Sequence, residues 1–285
     1  MIISVALGFL SLPLLAQAQP ATGTLQMIRE TGRIRIGHRL SSVPFSYLND
    51  AGEPVGYAID LCLKIVESLR ISQQLPDLTV EYLQVDTQTR IPLVANGSVD
   101  LECGSTTNTL SRQEEVSFSP ITFITGVKLL VKQDAGITGI ADMAGKTIGV
   151  LPDTSTERVI SSIVQEQGID ARIFNQIADH DEGFVALQEN LIDAYVTDDI
   201  LLFGLRQGAA DPNAYAVVGE FLSYEPYGIM LRRNDADFEL EVNRALSQLF
   251  RSGEIVPLYQ KWFNPLGVEL TSDFEAAIRL QALPE

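Results

Sequence analysis

The chain reads as an α/β protein of two units, the second inserted within the first. Three observations carry this. Apolar strands alternate with amphipathic helices from Arg33 to Cys103. The alternation restarts at Val127 and continues to Val196, and a strand over Tyr227 to Leu231 then feeds a long amphipathic helix. Strand and helix in strict alternation is the pattern of an open, mostly parallel sheet flanked by helices. No low-complexity linker divides the units, so strands themselves are expected to cross between them.

Taken in order, the apolar run from Met1 to Leu15 ends in Ala16-Gln17-Ala18-Gln19, a small-x-small site, and residues 1–18 read as a secretory signal peptide. The run is short for a membrane span. A buried N-terminal helix is the alternative, because no Lys or Arg precedes the run unless the start lies upstream. No cysteine follows it directly, so no lipid anchor is expected, and the mature chain is expected to be soluble.

Arg33 to Gly37 reads as a strand. Gly56 and Tyr57 then open a helix with Ala58, Cys62, Ile65, Val66 and Leu69 on one face. Leu78, Val80 and Tyr82 alternate as a second strand; Arg90 to Ala95 is a short helix stopped by Asn96-Gly97; and Val99, Leu101 and Cys103 form a third strand. In the second unit, Val127 to Val131 and Lys146 to Val150 are strands. Thr154 with Glu157 is a capping box that opens a helix toward Gln167. Ala194 to Val196 is a strand, and Asp198-Asp199 stands where it would cap a helix from Ile200 to Leu205. The last long helix carries Phe238, Val242, Ala245, Leu246 and Leu249 on one face. The units are therefore placed at residues 24–122 with 231–285, and at 126–224, with crossings over 120–126 and 224–230.

The 285 residues are 46% hydrophobic, ample for two cores, and carry a formal net charge of −17. That balance argues against nucleic acid, which needs a concentrated basic surface. An acidic protein can hold an anion only by gathering a few cations in a sheltered place, which makes individual arginines informative. Four segments after strands carry Arg or His, three of them among uncharged hydroxyl residues. They are Gly37 to Ser42 with Arg39; Thr87 to Arg90; Gly104 to Asn108, with Ser105 and Thr107, leading to Arg112; and Ala178 to His180. Guanidinium grips carboxylate in a two-pronged fork, and the helix start at Thr154 to Thr156 offers backbone N–H groups to an anion. Each residue alone has a plain structural reading: a solvated Arg, a surface His, or an Asp198 that only caps a helix. Their recurrence at strand ends, where open α/β sheets bind ligands, favours a shared site. Cys62 and Cys103 are either a bridge formed after export or two buried thiols.

The stretch Gly37 to Tyr47, the triplet Arg90-Ile91-Pro92, and Glu102 to Asn108 with Arg112 resemble the glutamate/aspartate-binding proteins of ATP-driven amino-acid importers, solute-binding protein family 3. The resemblance runs from about Thr24 to Phe263. It implies the two-lobe periplasmic-binding-protein fold of type II, with two crossing strands, and a monomer that closes on an acidic L-amino acid in the periplasm and delivers it to a membrane permease. No cofactor or metal is implied. Carried over, Arg112 with Thr107 and the turn at Thr154 and Thr156 takes the α-carboxylate; Asp198 with Ser105 takes the α-ammonium; and Arg39, Arg90 and Thr87 hold the side-chain carboxylate, with His180 closing from the second lobe. Thr87 replaces the family's Ser. Ile229 stands where a Cys is expected, so any bridge must use Cys62 instead, and Pro257 is expected to shorten the late helix. Counting Arg39, Arg90 and Arg112 against Asp198 gives three positive charges and one negative, a balance suited to a ligand with two carboxylates and one ammonium.

The rival reading is a cyclohexadienyl-type dehydratase on the same scaffold, with His180 as its general acid. The chain has no His-Glu metal spacing, no nucleophile elbow and no phosphate-binding loop.

Overall fold

A computed structural model describes residues 23–284; the expected signal peptide at 1–18 lies outside the described residues. The chain runs α1 (Thr24–Thr31), β1 (Arg33–His38), β2 (Ser41–Ser42), β3 (Ser46–Leu48), β4 (Pro54–Val55), α2 (Tyr57–Ser72), β5 (Thr79–Gln84), α3 (Arg90–Ala95), β6 (Leu101–Glu102), α4 (Leu110–Gln113) and β7 (Val116–Thr125). It continues β8 (Val127–Lys132), β9 (Thr147–Gly149), α5 (Ser155–Gln167), β10 (Arg172–Phe174), α6 (His180–Gln188), β11 (Ala194–Asp198), α7 (Asp199–Gln207) and β12 (Tyr215–Val218). It ends with β13 (Glu225–Arg232), α8 (Ala236–Ser252), α9 (Ile255–Phe263) and α10 (Ser272–Gln281).

Two five-stranded sheets form, ordered β5-β1-β6-β13-β7 and β10-β9-β11-β8-β12. In the first, β13 runs against its neighbours β6 and β7, and in the second β8 runs against β11 and β12. The other strands of each sheet point one way, so both sheets are mostly parallel. β2, β3 and β4 make a small antiparallel sheet beside the first.

Each large sheet is covered on both faces, and alternation along its strands assigns side chains to the two layers. In β8, Val127, Leu129 and Val131 pack with Ile160 of α5, while Leu130 faces the opposite core with Leu202 of α7. In β13, Ile229 and Leu231 join the core built by α2, α8, α9 and α10, while Met230 joins Val94 of α3 on the other side. A shell of rings behind the first sheet binds this together: Phe123 stacks on Phe263 at 4.6 Å, and Phe45 meets Tyr227 at 5.1 Å.

The chain crosses between sheets twice. β7 and β13 pair from Val116 with Arg232 to Thr125 with Glu225, with register shifts around Gly228. The outgoing backbone turns at Gly126, where a Cβ would stand 2.4 Å from the Ser223 carbonyl oxygen of the returning chain. A side chain does not fit between the two crossings.

Several local expectations change. The third strand, expected over Val99 to Cys103, is only Leu101–Glu102, because the Val99 N–H folds back to the Leu93 carbonyl. Asp198 occupies the N-cap position of α7 but makes no capping hydrogen bond. Pro257 does not cut α9 short: it sits in the first turn, where its missing N–H has no helical acceptor to lose. The sequence reading had no counterpart of α10, which Thr271 caps by accepting from the Phe274 N–H at 3.2 Å. Cys62 and Cys103 form a disulfide that ties the middle of α2 to the end of β6.

Candidate functional site

The carboxyl ends of β1, β5, β6, β9 and β11 converge on the cleft between the sheets. Arg39 follows β1, Thr87 follows β5, Ser105 and Thr107 follow β6, and Asp198 closes β11. Arg90 begins α3, Thr156 lies in the first turn of α5 beyond its cap Thr154, and His180 begins α6. All of these, with Arg112 of α4, line one tight cavity, completed by Leu151, Ser155, Thr197 and Leu201. Except for the half-buried Thr154, every one of the ten predicted residues is buried.

The cleft is shut. His180 N–H donates to the Ser41 hydroxyl at 3.1 Å, and the Thr107 and Ser155 hydroxyls meet at 3.3 Å, each contact joining one sheet's loops to the other's.

Arg90 and Arg112 are each pinned on one side and left open on another. Arg112 donates from Nη1 to the Thr107 carbonyl at 2.8 Å, yet its buried Nη2 has no partner. Arg90 donates from Nη1 to the Thr106 hydroxyl at 2.8 Å, and its buried Nε has none. On the opposite wall, Asp198 accepts from the Tyr227 hydroxyl through Oδ2, while Oδ1 is buried without a partner. A buried polar group left unmatched is costly, so these atoms define what a ligand must supply: acceptors beside Arg90 and Arg112, and a donor beside Asp198.

Electrostatics follow from burial. Desolvation, reinforced by Arg112 and Arg39, pushes the Arg90 guanidinium well below its usual range, and desolvation with the like charge of Arg158 lowers Arg112. Burial, with repulsion from Glu225, raises Asp198 to about 7. Burial beside Arg39 and Arg90 drops His180 to about 3, so its imidazole is neutral at physiological pH. Its Nδ1 lies 2.8 Å from the Tyr195 hydroxyl; with Tyr195 donating, the ring proton sits on Nε2.

Thr154 contributes less than its position suggested. Its hydroxyl caps α5 by accepting from the Glu157 N–H at 3.0 Å and donates to the Leu151 carbonyl at 2.8 Å. The Glu157 carboxylate reaches the Asp153 N–H, one residue ahead of the cap. What this turn offers a ligand is backbone N–H and the buried Thr156.

Reading residues in isolation missed Tyr195, Tyr227, Ser41, Thr106 and above all Glu102, which is fully buried behind the arginines. Glu102 alternates with apolar residues along its strand and so reads as solvent-facing. Yet a sheet flanked by helices on both faces has no solvent face, and that was the available signal. The charge sum of three cations against one anion is corrected accordingly: Glu102 beside the arginines and Glu225 beside Arg112 and Asp198 add two buried carboxylates.

Two α/β lobes shut on a polar, arginine-lined cavity define a bilobal ligand-binding protein. Residues 34–265 match the bacterial extracellular solute-binding proteins, family 3, and the chain belongs to that family. It is 41% identical over 272 residues to the L-glutamate/L-aspartate-binding protein of Pseudomonas aeruginosa, covering 94% of this chain and 89% of the relative. It is 38% identical over 269 residues to the glutamate/aspartate import solute-binding protein of Escherichia coli, covering 93% and 89%. Among solved structures, an ancestral arginine-binding protein bound to arginine aligns with a TM-score of 0.73 at 27% identity, over 81% of this chain and 98% of that one. An ancestral amino-acid-binding protein described as a precursor of cyclohexadienyl dehydratase gives 0.71 at 26% identity, over 85% and 100%. The relatives of high identity are binding proteins, not enzymes.

Proposed function

We propose that this protein captures glutamate or aspartate outside the cytoplasm by closing its lobes, and passes it as a monomer to the membrane permease of an ATP-driven importer, without chemistry. The carrying observation is the set of unmatched buried atoms: guanidinium nitrogens of Arg90 and Arg112 facing one cavity with an unmatched oxygen of Asp198. An acidic amino acid has two carboxylates and one ammonium, which answers that set group for group. On this reading Arg112, Thr107 and the α5 N-terminus take the α-carboxylate, while Asp198 and Ser105 take the ammonium. Arg39, Arg90 and Thr87 take the side-chain carboxylate, and His180 closes over it as a neutral donor. The two high-identity relatives carry names for the same ligands. The apolar run at residues 1–18 would direct export. The paired crossing strands, irregular near Gly228, are the proposed hinge.

In the dehydratase reading His180 is the acid, and an imidazole held at about 3 is not protonated to imidazolium at neutral pH. Asp198, raised to about 7, is the cleft carboxyl that an enzyme would have to use, so turnover decides that reading. Calorimetry with the twenty amino acids tests the proposal. Glutamate or aspartate should bind most tightly, with glutamine and asparagine at least about tenfold weaker, or about 1.4 kcal/mol. Equal or tighter binding of neutral or basic amino acids would refute it, and turnover of prephenate or arogenate would establish the enzyme reading instead.

A further inference from the structure

Behind the wall of the cavity, the Glu102 carboxylate accepts from the Thr106 hydroxyl at 2.8 Å, and that hydroxyl in turn accepts from Arg90 Nη1 at 2.8 Å. Glu102 and Thr106 are fully buried, and Glu102 Oε1 has no hydrogen-bond partner. Room for this carboxylate is made by Gly104, where a Cβ would stand 2.3 Å from Glu102 Oε1 and 3.1 Å from Cγ of Arg39. So the acid is wedged beside Arg39 and linked through one hydroxyl to Arg90.

We propose that Glu102 is a resident counter-anion that sets the charge the side-chain pocket accepts: it suits the Arg39–Arg90 pair to one carboxylate and makes a dianionic group unfavourable. The physical reason is that two guanidinium groups shut away from water need about two negative charges for balance. Glu102 supplies one from the buried side, while Asp86 and Asp179, in more exposed positions, add weaker support to Arg39. A ligand carboxylate supplies the second, and a further negative charge would face Glu102 at low dielectric. In keeping with this placement, Glu102 is the largest charge supporting Arg39 against desolvation, and it opposes the repulsion that Arg112 and Arg39 exert on Arg90. Glu102 acts through the arginines, so it is a positioning and selectivity residue and not one that touches the ligand. The inference rests on reading the cavity as an acidic amino-acid site.

The test compares glutamate with O-phospho-L-serine, whose side chain carries about −1.5 to −2 at pH 7. Calorimetry on the wild-type chain should show phosphoserine much the weaker. Glu102→Gln keeps shape and removes charge, and should shift the phosphoserine-to-glutamate affinity ratio toward phosphoserine by at least about tenfold, equivalent to about 1.4 kcal/mol. Glu102→Asp should bring the ratio back toward wild type. Thr106→Val leaves the charge and cuts the link to Arg90; it should weaken both ligands about tenfold with the ratio kept. An E102Q ratio within about twofold of wild type overturns the inference, as does a T106V variant that moves the ratio as far as E102Q. Should E102Q fail to fold, a wild-type affinity for phosphoserine equal to or tighter than that for glutamate overturns it alone. A wild-type protein that binds neither glutamate nor aspartate defeats the function reading itself; a wild type that binds them, with an unmoved E102Q ratio, defeats only the role of Glu102.

Discussion

Asp198 is buried on the cleft wall, where the Tyr227 hydroxyl holds one carboxylate oxygen and the other faces the cavity. Its titration decides how the site responds to pH. With the carboxyl raised to about 7 by burial and Glu225, the protonated form dominates below that pH in the shut, ligand-free cleft. An ammonium needs the ionised form, so glutamate affinity should fall as pH drops through about 7, by up to about tenfold per unit. His180, held at about 3, stays neutral across that range and adds no slope. Calorimetry from about pH 8 to about pH 5 should show this decline in the wild type and a flat, weak profile in Asp198→Asn. A flat wild-type profile would mean that Asp198 is already ionised in a ligand-free cleft that stands open, whereas an Asp198→Asn variant that binds as tightly as the wild type would mean that Asp198 is not the ammonium partner. Arg112 and Arg90 divide differently. Arg112→Ala should weaken every amino-acid ligand alike, and Arg90→Ala should mainly erase the preference for glutamate over glutamine. Identical selectivity profiles for the two variants would disprove that assignment.

At the scale of elements, the strand-end loops hold their geometry because the elements beneath them are fixed, and the disulfide is part of that fixing. It closes a separation of 41 residues and anchors β6 just before Gly104 to Thr107. Cys62→Ala with Cys103→Ala should cost about 4 kcal/mol on chain-entropy grounds, lowering the melting temperature by roughly 10 °C. Glutamate affinity should fall as well, since Ser105 and Thr107 lose their anchor. A melting temperature unchanged in the double variant would show that the bridge is dispensable. The same elements mark what the sequence made legible. Helix periodicity exposed α2 and α8, and the Thr154 cap exposed α5, because both signals are local. β6 was overextended, since only contact with β1 and α3 decides where pairing ends. Glu102 and Tyr227 stayed hidden because their roles depend on which strands are neighbours: Tyr227 lies on β13 and reaches Asp198 of β11 from the other sheet. Ring packing around Phe45 and Phe123 holds Tyr227 there. By contrast, the ten named residues were readable as a set because the strand ends of each open sheet share an edge, and the two edges face one cleft.

At the scale of the whole molecule the proposed function requires closure, and Gly204 gives a way to obstruct that motion without touching the ligand. Gly204 lies in α7, and a Cβ there would stand 2.7 Å from the carbonyl oxygen of Val43, on the loop between β2 and β3 beside the first sheet. The two surfaces are in contact in the shut state, so the missing side chain lets them approach. A ligand bound by groups from both lobes stabilises the shut state by its differential affinity. Wild-type protein should therefore become more compact in solution scattering when glutamate is added. Gly204→Ala leaves every cavity-lining residue in place and adds helix propensity within α7, so its ligand-free melting temperature should hold or rise. The added methyl must nonetheless displace backbone for the cleft to shut. Glutamate affinity should drop by about tenfold or more, and the scattering change at saturating glutamate should shrink. An alanine variant that closes and binds as the wild type does would show that the Val43 loop yields easily and that this contact does not limit closure. A wild-type radius of gyration indifferent to saturating glutamate would reach further, because a site served by both sheets cannot be completed while the lobes stand apart.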